Sequence, residues 1–353
     1  MTTLELLPRP KDAAPWRNRS KSLLTKIALA SVLPVVLAIA IGKAFGIPGP
    51  ITLLLVFLPL QLLASGLAAL STRGKRGVAD SQLNVAVLFA TTFVAIMLGS
   101  VLFSVVSFGL NAISPHFAYQ NNVYVTSTTS LEYGGAGHAL LGTVLVVGLA
   151  ALIAVPVGIA VAVYLTETRG RFRGPVRFFA QSMSGLPSIV AGLFIFAVFV
   201  STGISRPAGW LASSALVLLM LPTVIRMSEE VLKLVPGDLR SAALALGAPQ
   251  RKAFFLVIMP AAKTGLVTAI LLGIARIVGE TAPLLLTMRV NPNTNVNVFS
   301  GDMSTLPTYI FAFLTAGFDT GRARSWAAAF LLLAVVGLIF GTARAISAKS
   351  IKK

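Results

Sequence analysis

The chain has 353 residues, of which 56% are hydrophobic and only 11% are charged. A soluble domain carries about a quarter charged residues, so this composition excludes an ordinary soluble protein. The sequence contains no cysteine, which excludes disulfides, thiolate nucleophiles and cysteine metal sites.

Apolar runs of membrane-spanning length recur along almost the whole chain and predict an all-α, polytopic transmembrane bundle. Each run is long enough for a hydrocarbon core of about 30 Å. We predict eight spans: Lys26–Phe45, Pro50–Leu70, Leu83–Leu110, His138–Leu165, Phe179–Ser201, Pro207–Arg226, Thr264–Leu286 and Ser325–Ser347. No small-residue cleavage site follows the first run, so we predict an uncleaved first span rather than a signal peptide.

Basic residues concentrate in alternate connections, although the net charge of +18 could also point to nucleic acid. Of the 29 lysines and arginines, 23 fall before the first span, after the second, fourth and sixth spans, or at the C-terminus. This is the positive-inside pattern. It predicts cytoplasmic N- and C-termini, with the basic groups facing lipid headgroups and not nucleic acid.

The polar segment 111–137 lacks lysine and arginine and is predicted to be external. It marks the best boundary inside the chain. Residues 1–82 would form a cytoplasmic tail and two spans, residues 83–137 the third span and external loop, and residues 138–347 the core, with cytoplasmic coupling helices at 227–263. The two histidines, His116 and His138, are too few for a metal site.

The loop between the sixth and seventh spans is predicted to contain two short helices. A Pro-Gly pair breaks the chain, and Asp238 is a good N-cap for the first helix. One apolar face is predicted from helical spacing: Leu239, Ala242, Ala243 and Leu246. Gly247 suits the C′ position, where glycine adopts positive φ. The second helix would begin near Pro249 and stop at Pro260.

This loop resembles the signature of the permease subunits of ABC importers. That signature reads Glu-Ala-Ala, three residues, Gly, nine residues and Ile-x-Leu-Pro; the positions in register are Ser241, Ala242, Ala243, Gly247, Val257, Met259 and Pro260. The resemblance implies a coupling helix, including Asp238 and Arg240, that sits in a cleft of an ATP-hydrolysing partner. Because Ser241 replaces the usual glutamate, its capping box and its ion pair to the ATPase are in question, with Arg240, Glu229 and Glu230 as candidate substitutes.

Two ionisable residues, Arg276 and Glu280, interrupt the seventh apolar run. In one helix they would share a face, and Gly273 on the same side would let a partner helix approach. An intramembrane charge costs about 2.5–3.5 kcal/mol, and a pair kept only for packing gains little, which favours function over structure. Arginine can donate two parallel hydrogen bonds to a tetrahedral oxyanion. The glutamate would keep the arginine from trapping substrate between cycles, or would be protonated in one state.

The sequence Arg276-Ile-Val-Gly-Glu280-Thr-Ala-Pro resembles the corresponding motif of phosphate-specific ABC permeases of the PstA type. Three further stretches are similar to that family: Leu165-Thr-Glu167, Leu186-Pro-Ser-Ile-Val-Ala-Gly192 and Leu221-Pro-Thr-Val-Ile-Arg226. The resemblance implies the type I ABC importer permease fold and places Arg276, Glu280 and Thr281 on the substrate pathway. It covers roughly residue 83 to the C-terminus, so the first two spans would be an added N-terminal helix pair.

The resemblance therefore implies the permease subunit of an ATP-driven importer of inorganic phosphate, in the plasma (inner) membrane of a prokaryote. Phosphate would arrive on an external binding protein and cross between this chain and a sister permease, in a heterodimer, while two ATP-binding subunits drive transport. The chain lacks a phosphate-binding Gly-x-x-x-x-Gly-Lys loop, so it would bind no cofactor itself and ATP with Mg would bind the partner subunits. A permease for another oxyanion, such as phosphonate, sulfate or molybdate, is the alternative.

The sequence argues against two other functional classes, a membrane-embedded enzyme and a scaffold. A membrane-embedded enzyme needs a nucleophile with a base, or a metal cluster, and the sequence offers neither. A scaffold that only tethers a cytoplasmic ATPase would not need Arg276 for transport. The chain is therefore predicted to be a transport subunit and not an enzyme.

Overall fold

The computed structural model describes residues 21–168 and 170–351, except for the side chains of residues 21–24, 27 and 346–351. Most of the predicted N-terminal tail and the last two residues lie outside this part. The described chain is helical and contains no strand, which confirms the all-α class. It groups into two compact units that divide between Leu102 and Phe103.

The first unit consists of α1, Lys21–Ala44, and most of α2, Gly49–Ala112. The chain of α2 breaks at Gly74, where φ is +70°. Glycine adopts this conformation without the steric penalty of a side chain, so it marks the turn between two helical segments. The second and third predicted spans correspond to these two segments.

The second unit begins with the end of α2 and a short 3₁₀ turn at Pro115–Ala118. Its helices are α3 Gly137–Glu167, α4 Arg173–Ser184, α5 Ser188–Val200, α6 Gly209–Lys233, α7 Gly237–Ala245, α8 Gln250–Val278, α9 Ala282–Thr287, α10 Leu306–Thr315 and α11 Asp319–Ile351.

In the described residues, five helices are long and apolar enough to cross a membrane: α2, α3, α6, α8 and α11. These five helices correspond to six of the eight predicted spans, because α2 contains two segments. The bent pair α4 and α5 corresponds to a seventh, and the shorter apolar helix α1 corresponds to the first. The predicted span Phe179–Ser201 is wrong as a straight helix, because α4 and α5 meet at 106°. Pro187 explains the bend, since it disfavours helical conformation in the preceding residue.

The core of the second unit forms where α3, α6 and α8 pack together. Gly158 of α3 lies so close to α6 that a Cβ there would be 2.8 Å from Val224 Cγ1. Ser213 on α6 donates a hydrogen bond to the Val146 carbonyl at 2.9 Å. Gly273 of α8 approaches Val224 in the same way, so the predicted close approach at this glycine is confirmed. Small residues therefore let these three helices pack closely.

A buried arginine ties the predicted external loop to the start of α11. The Arg324 side chain is fully buried and donates hydrogen bonds to the carbonyls of Ser130 at 2.7 Å and Tyr133 at 2.8 Å. Carbonyl partners reduce the cost of burying this cation. Arg324 is thus accounted for by structure and not by substrate binding.

Candidate functional site

Arg276 lies on an exposed face of the second unit, in the last turn of α8. Its neighbours Ile277 and Val278 are buried in the core, which fixes the rotation of this turn. The guanidinium Nη1 donates to Thr223 Oγ1 at 2.8 Å. Among the described residues the guanidinium makes no other hydrogen bond. Most of its five N–H donors are therefore open to a ligand.

Thr223 locates the guanidinium along the membrane-spanning helices. It stands near the middle of α6, a 25-residue helix, and a helix of that length measures about 37 Å at 1.5 Å per residue. The hydrocarbon core is about 30 Å thick. The guanidinium therefore lies beside the interior of a helix long enough to cross the membrane, on a face that is exposed in this chain.

Glu280 does not share a helical face with Arg276, and that prediction was wrong. α8 ends at Val278, and the Glu280 amide donates to the Ile277 carbonyl at 3.2 Å beyond the last helical residue. Among the described side chains, no ion pair joins Glu280 to Arg276. The helix restarts at Ala282, with Thr281 as its N-cap residue. This break places Pro283 in a first turn, where its missing N–H is not needed.

The coupling helix α7 forms at the predicted place, but its cap differs. Pro236 occupies the N-cap position and Asp238 is the second helical residue, so the prediction of Asp238 as cap was wrong. Asp238 still lies where a carboxylate interacts favourably with the helix dipole. Ser241 is consequently not the third helical residue, and a glutamate there would not complete a capping box. Gly247 follows the helix with φ of +79°, as predicted.

Pro260 does not stop the second helix of this loop. α8 runs from Gln250 through Pro260 to Val278, with a π-helical stretch at Phe254–Ile258. The Met259 amide donates to the Phe254 carbonyl, five residues back. Proline lacks an N–H and clashes with the preceding turn of an α-helix, and the wider π turn accommodates it. The coupling loop is therefore continuous with the helix that carries Arg276.

The exposed surface of the loop is partly apolar. Ser241 and Ala242 are exposed and Ala243 is buried. Leu246 is 89% exposed and Leu234 is 81% exposed. Large exposed apolar side chains in one loop are typical of a surface that docks a protein partner.

Glu167, at the end of α3, fixes the loop to the membrane-spanning core. Its carboxylate pairs with Arg240 of α7, with 2.5 Å between Oε1 and Nη2. Its carbonyl accepts a hydrogen bond from Gln250 Nε2 at 3.1 Å. Arg240 is thus engaged within the chain, which argues against its substituting for the missing glutamate at position 241.

A second charged cluster joins α4 to α6. Glu229 Oε1 lies 2.6 Å from Arg177 Nη2 and 2.7 Å from Lys233 Nζ. These residues line a cavity of about 450 Å³ together with Arg226 and Glu230. Glu229 is therefore also engaged, and only the exposed Glu230, paired at 3.3 Å with Arg226, is readily available to a partner.

Sequence reasoning missed Thr223 and Glu167. Both lie in stretches that carried the family resemblance, but neither was singled out. A polar residue near the middle of an apolar span is the available signal for Thr223. For Glu167 the signal is a lone carboxylate next to a basic loop.

Residues 154–353 match the profile of a family described as binding-protein-dependent transport system inner membrane component. Over 207 residues the chain is 44% identical to phosphate transport system permease protein PstA 1 of Mycobacterium tuberculosis, covering 58% of this chain and 68% of that protein. Over 235 residues it is 36% identical to the PstA protein of Haemophilus influenzae, covering 66% and 80%. A chain of the inward-facing MetNI methionine ABC transporter is similar in fold, with a TM-score of 0.49, 19% identity and coverage of 60% and 93%.

Proposed function

The chain belongs to the family of binding-protein-dependent transport system inner membrane components, and from this membership we propose that it is the permease subunit of an ATP-driven inorganic phosphate importer. Relatives named as phosphate transport permeases support phosphate over phosphonate, sulfate or molybdate. Their name also supports a transport subunit rather than an enzyme.

The observation that carries the proposal is the exposed guanidinium of Arg276, held by Thr223 inside the predicted seventh span. Facing lipid, this charge would cost about 2.5–3.5 kcal/mol. Facing water between this chain and a sister permease, it can donate to a tetrahedral oxyanion through the N–H groups that Thr223 leaves free. The arrangement supports a substrate pathway along the exposed face of α8, with Glu280 and Thr281 at the end of that helix.

The coupling loop supports the second half of the mechanism. One ATP-binding subunit would dock on the coupling loop of this chain, where Leu234 and Leu246 are exposed, a second would dock on the sister permease, and both would hold ATP with Mg. Because α7 is tied to α3 by Glu167 and is joined to α8 by a short turn at Gly247, a movement of the ATPases would reach the helix that carries Arg276. An external phosphate-binding protein would deliver substrate to the opposite side, with both termini of this chain in the cytoplasm.

Radiolabelled phosphate uptake by the reconstituted complex tests the proposal. We expect Arg276→Ala to lower uptake at least tenfold, since a hydrogen bond to a charged group contributes about 1.5–3 kcal/mol, while the complex still assembles. Arg322→Ala, an exposed arginine at the start of α11, is the matched control and should transport normally. Normal phosphate uptake by Arg276→Ala would refute the assigned role. Uptake inhibited better by sulfate or molybdate than by unlabelled phosphate would change the substrate.

A further inference from the structure

The first unit contains a polar cavity that the proposed transport function does not use. It has a volume of about 320 Å³ and lies between α1 and both segments of α2. The residues that matter for its chemistry are Lys26, Gln61, Thr72, Arg73, Ser81 and Asn84. This unit lies outside the matched family profile, so the cavity is a feature of the first unit and not of the matched core.

The cavity carries two cations without a counter-charge. Lys26 and Arg73 line it, and no carboxylate does. In the part of the chain that the structure describes, neither cation forms an ion pair. Asp80, the acidic residue nearest in sequence, is outside the lining. Two unneutralised cations in one cavity favour an anionic ligand.

Hydrogen bonds between helical segments hold the cavity open. Gln61 Nε2 donates to the Ala30 carbonyl of α1 at 3.2 Å, and Ser81 Oγ donates to the Ser65 carbonyl at 3.2 Å across the α2 break. Arg73 packs against Gly77 so closely that a Cβ there would collide with the Arg73 side chain. The walls and one cation are therefore positioned by the fold itself.

An apolar cavity adjoins the cationic one. It has a volume of about 720 Å³, and its lining includes Phe57, Phe89 and Phe93. The two cavities share lining residues Ser31, Gln61, Val85 and Leu88. A cationic compartment that opens into an aromatic, apolar one matches an amphiphile whose anionic head is attached to hydrocarbon chains.

We propose that the first unit binds one anionic phospholipid, with its phosphate between Lys26 and Arg73 and its acyl chains in the apolar cavity. The positive-inside pattern assigns both cations to the cytoplasmic side, where basic pockets between membrane helices bind anionic headgroups. Asn84 makes no hydrogen bond among the described residues and adds an amide donor to the site. Free inorganic phosphate has the same head chemistry but does not use the apolar cavity.

Lipid titration of the purified, delipidated full-length chain, followed by native mass spectrometry, tests this inference. The probes are phosphatidylglycerol and phosphatidylcholine with identical acyl chains, each with and without millimolar inorganic phosphate. We expect one phosphatidylglycerol to bind at least tenfold more tightly than phosphatidylcholine. Lys26→Gln with Arg73→Gln should weaken phosphatidylglycerol binding about tenfold or more, because each basic group near an anionic surface contributes about one kilocalorie per mole.

Lys75→Gln with Arg76→Gln is the matched control, because it also removes two positive charges, from positions next to Arg73 that are outside the lining. It should bind phosphatidylglycerol like the wild type. Equal losses in both double variants, equal binding of the two lipids, or unchanged binding by Lys26→Gln with Arg73→Gln would each overturn the proposal. Displacement of phosphatidylglycerol by inorganic phosphate would identify an ion site instead and overturn the lipid assignment. Elution volume and melting temperature show whether each variant is folded.

Discussion

One hydroxyl determines how the intramembrane guanidinium is presented. Arginine has about 2 kcal/mol of side-chain rotamer entropy, which an exposed side chain retains unless something holds it. In this structure Thr223 Oγ1 accepts a hydrogen bond from Arg276 and leaves the other donors free. A preorganised guanidinium binds an oxyanion more tightly because less freedom is lost on binding.

Thr223→Val tests this positioning, since valine keeps the shape of threonine and removes the acceptor. We expect the apparent KM for phosphate uptake to rise about fivefold or more, in line with the contribution of a hydrogen bond to a charged group. Thr268→Val is the control, because Thr268 is an exposed residue of α8 whose hydroxyl donates only to the Thr264 carbonyl of the same helix. Similar kinetics in both variants would contradict the positioning role.

Arg276 could be found from the sequence because a charge inside an apolar run is visible without any structure. Its partner could not, because Thr223 is 53 positions away and the contact exists only where Gly273 lets α8 approach α6. The spacing of Arg276 and Glu280 in the sequence also could not show whether their side chains share a helical face. Four-residue spacing gives a shared face only while the helix continues, and α8 ends two residues before Glu280.

At the scale of helices, glycine sets the distances between α3, α6 and α8. Gly158 is in contact with Val224, whereas a Cβ at Gly148 of the same α3 would meet nothing within 4 Å. Alanine substitutions at the two glycines therefore distinguish the effect of close packing from the intrinsic helix preference of alanine.

We expect Gly158→Ala to lower the melting temperature of the purified protein by several degrees, since forcing a methyl group into a packed interface costs about 1–3 kcal/mol. Gly148→Ala should leave the melting temperature unchanged or raise it slightly, because alanine stabilises a helix by about 0.5–1 kcal/mol relative to glycine. Scanning fluorimetry in one detergent compares the pair. Equal destabilisation by both substitutions would contradict the packing argument.

The ion pair between Glu167 and Arg240 connects the coupling helix to the membrane core. The side chain of Glu167 is only 9% exposed and that of Arg240 is 39% exposed, so water screens this pair less than a fully exposed one. Breaking it should let α7 move without moving α3.

We expect Glu167→Gln to lower the phosphate transported per ATP hydrolysed by at least twofold, with ATPase activity retained. The swap Glu167→Arg with Arg240→Glu should restore part of the ratio, because the pair is re-formed with opposite polarity. Arg322→Gln, which breaks an exposed pair with Asp319, serves as the control. A normal transport ratio in Glu167→Gln would show that α7 is coupled by other contacts.

The coupling elements were found from the sequence, while their ends were not. The helix–glycine–helix pattern predicted α7 and Gly247 correctly because both depend on local backbone preferences. Pro260 was predicted to end a helix, and the rule failed because a π turn just before it accommodates the ring. The bend between α4 and α5 was missed because a hydropathy run does not reveal the direction of the backbone.

At the scale of the whole molecule, the distribution of lysine and arginine predicts how the chain is oriented across the membrane. Apolar surface is abundant throughout, and Leu55 is 73% exposed and Phe103 is 74% exposed. Exposure of apolar side chains has no energetic cost where they face lipid. Composition alone was therefore enough to predict the class and the helical fold. The proposed assembly with a sister permease could not be derived in the same way, because the composition does not show what covers the exposed face that carries Arg276.

The absence of cysteine makes the predicted orientation directly measurable, since any introduced cysteine is the single labelling site. Tyr124 is 98% exposed in the predicted external loop and Leu246 is 89% exposed in the coupling loop. We expect a membrane-impermeant maleimide to label Tyr124→Cys in intact cells and to label Leu246→Cys only after permeabilisation. Lys75→Cys, in the basic loop of the added helix pair, should behave like Leu246→Cys because the positive-inside pattern places both on one side. The unsubstituted chain controls for background, and labelling of Leu246→Cys in intact cells would place the ATPase-docking loop outside the cell and contradict the proposed mechanism.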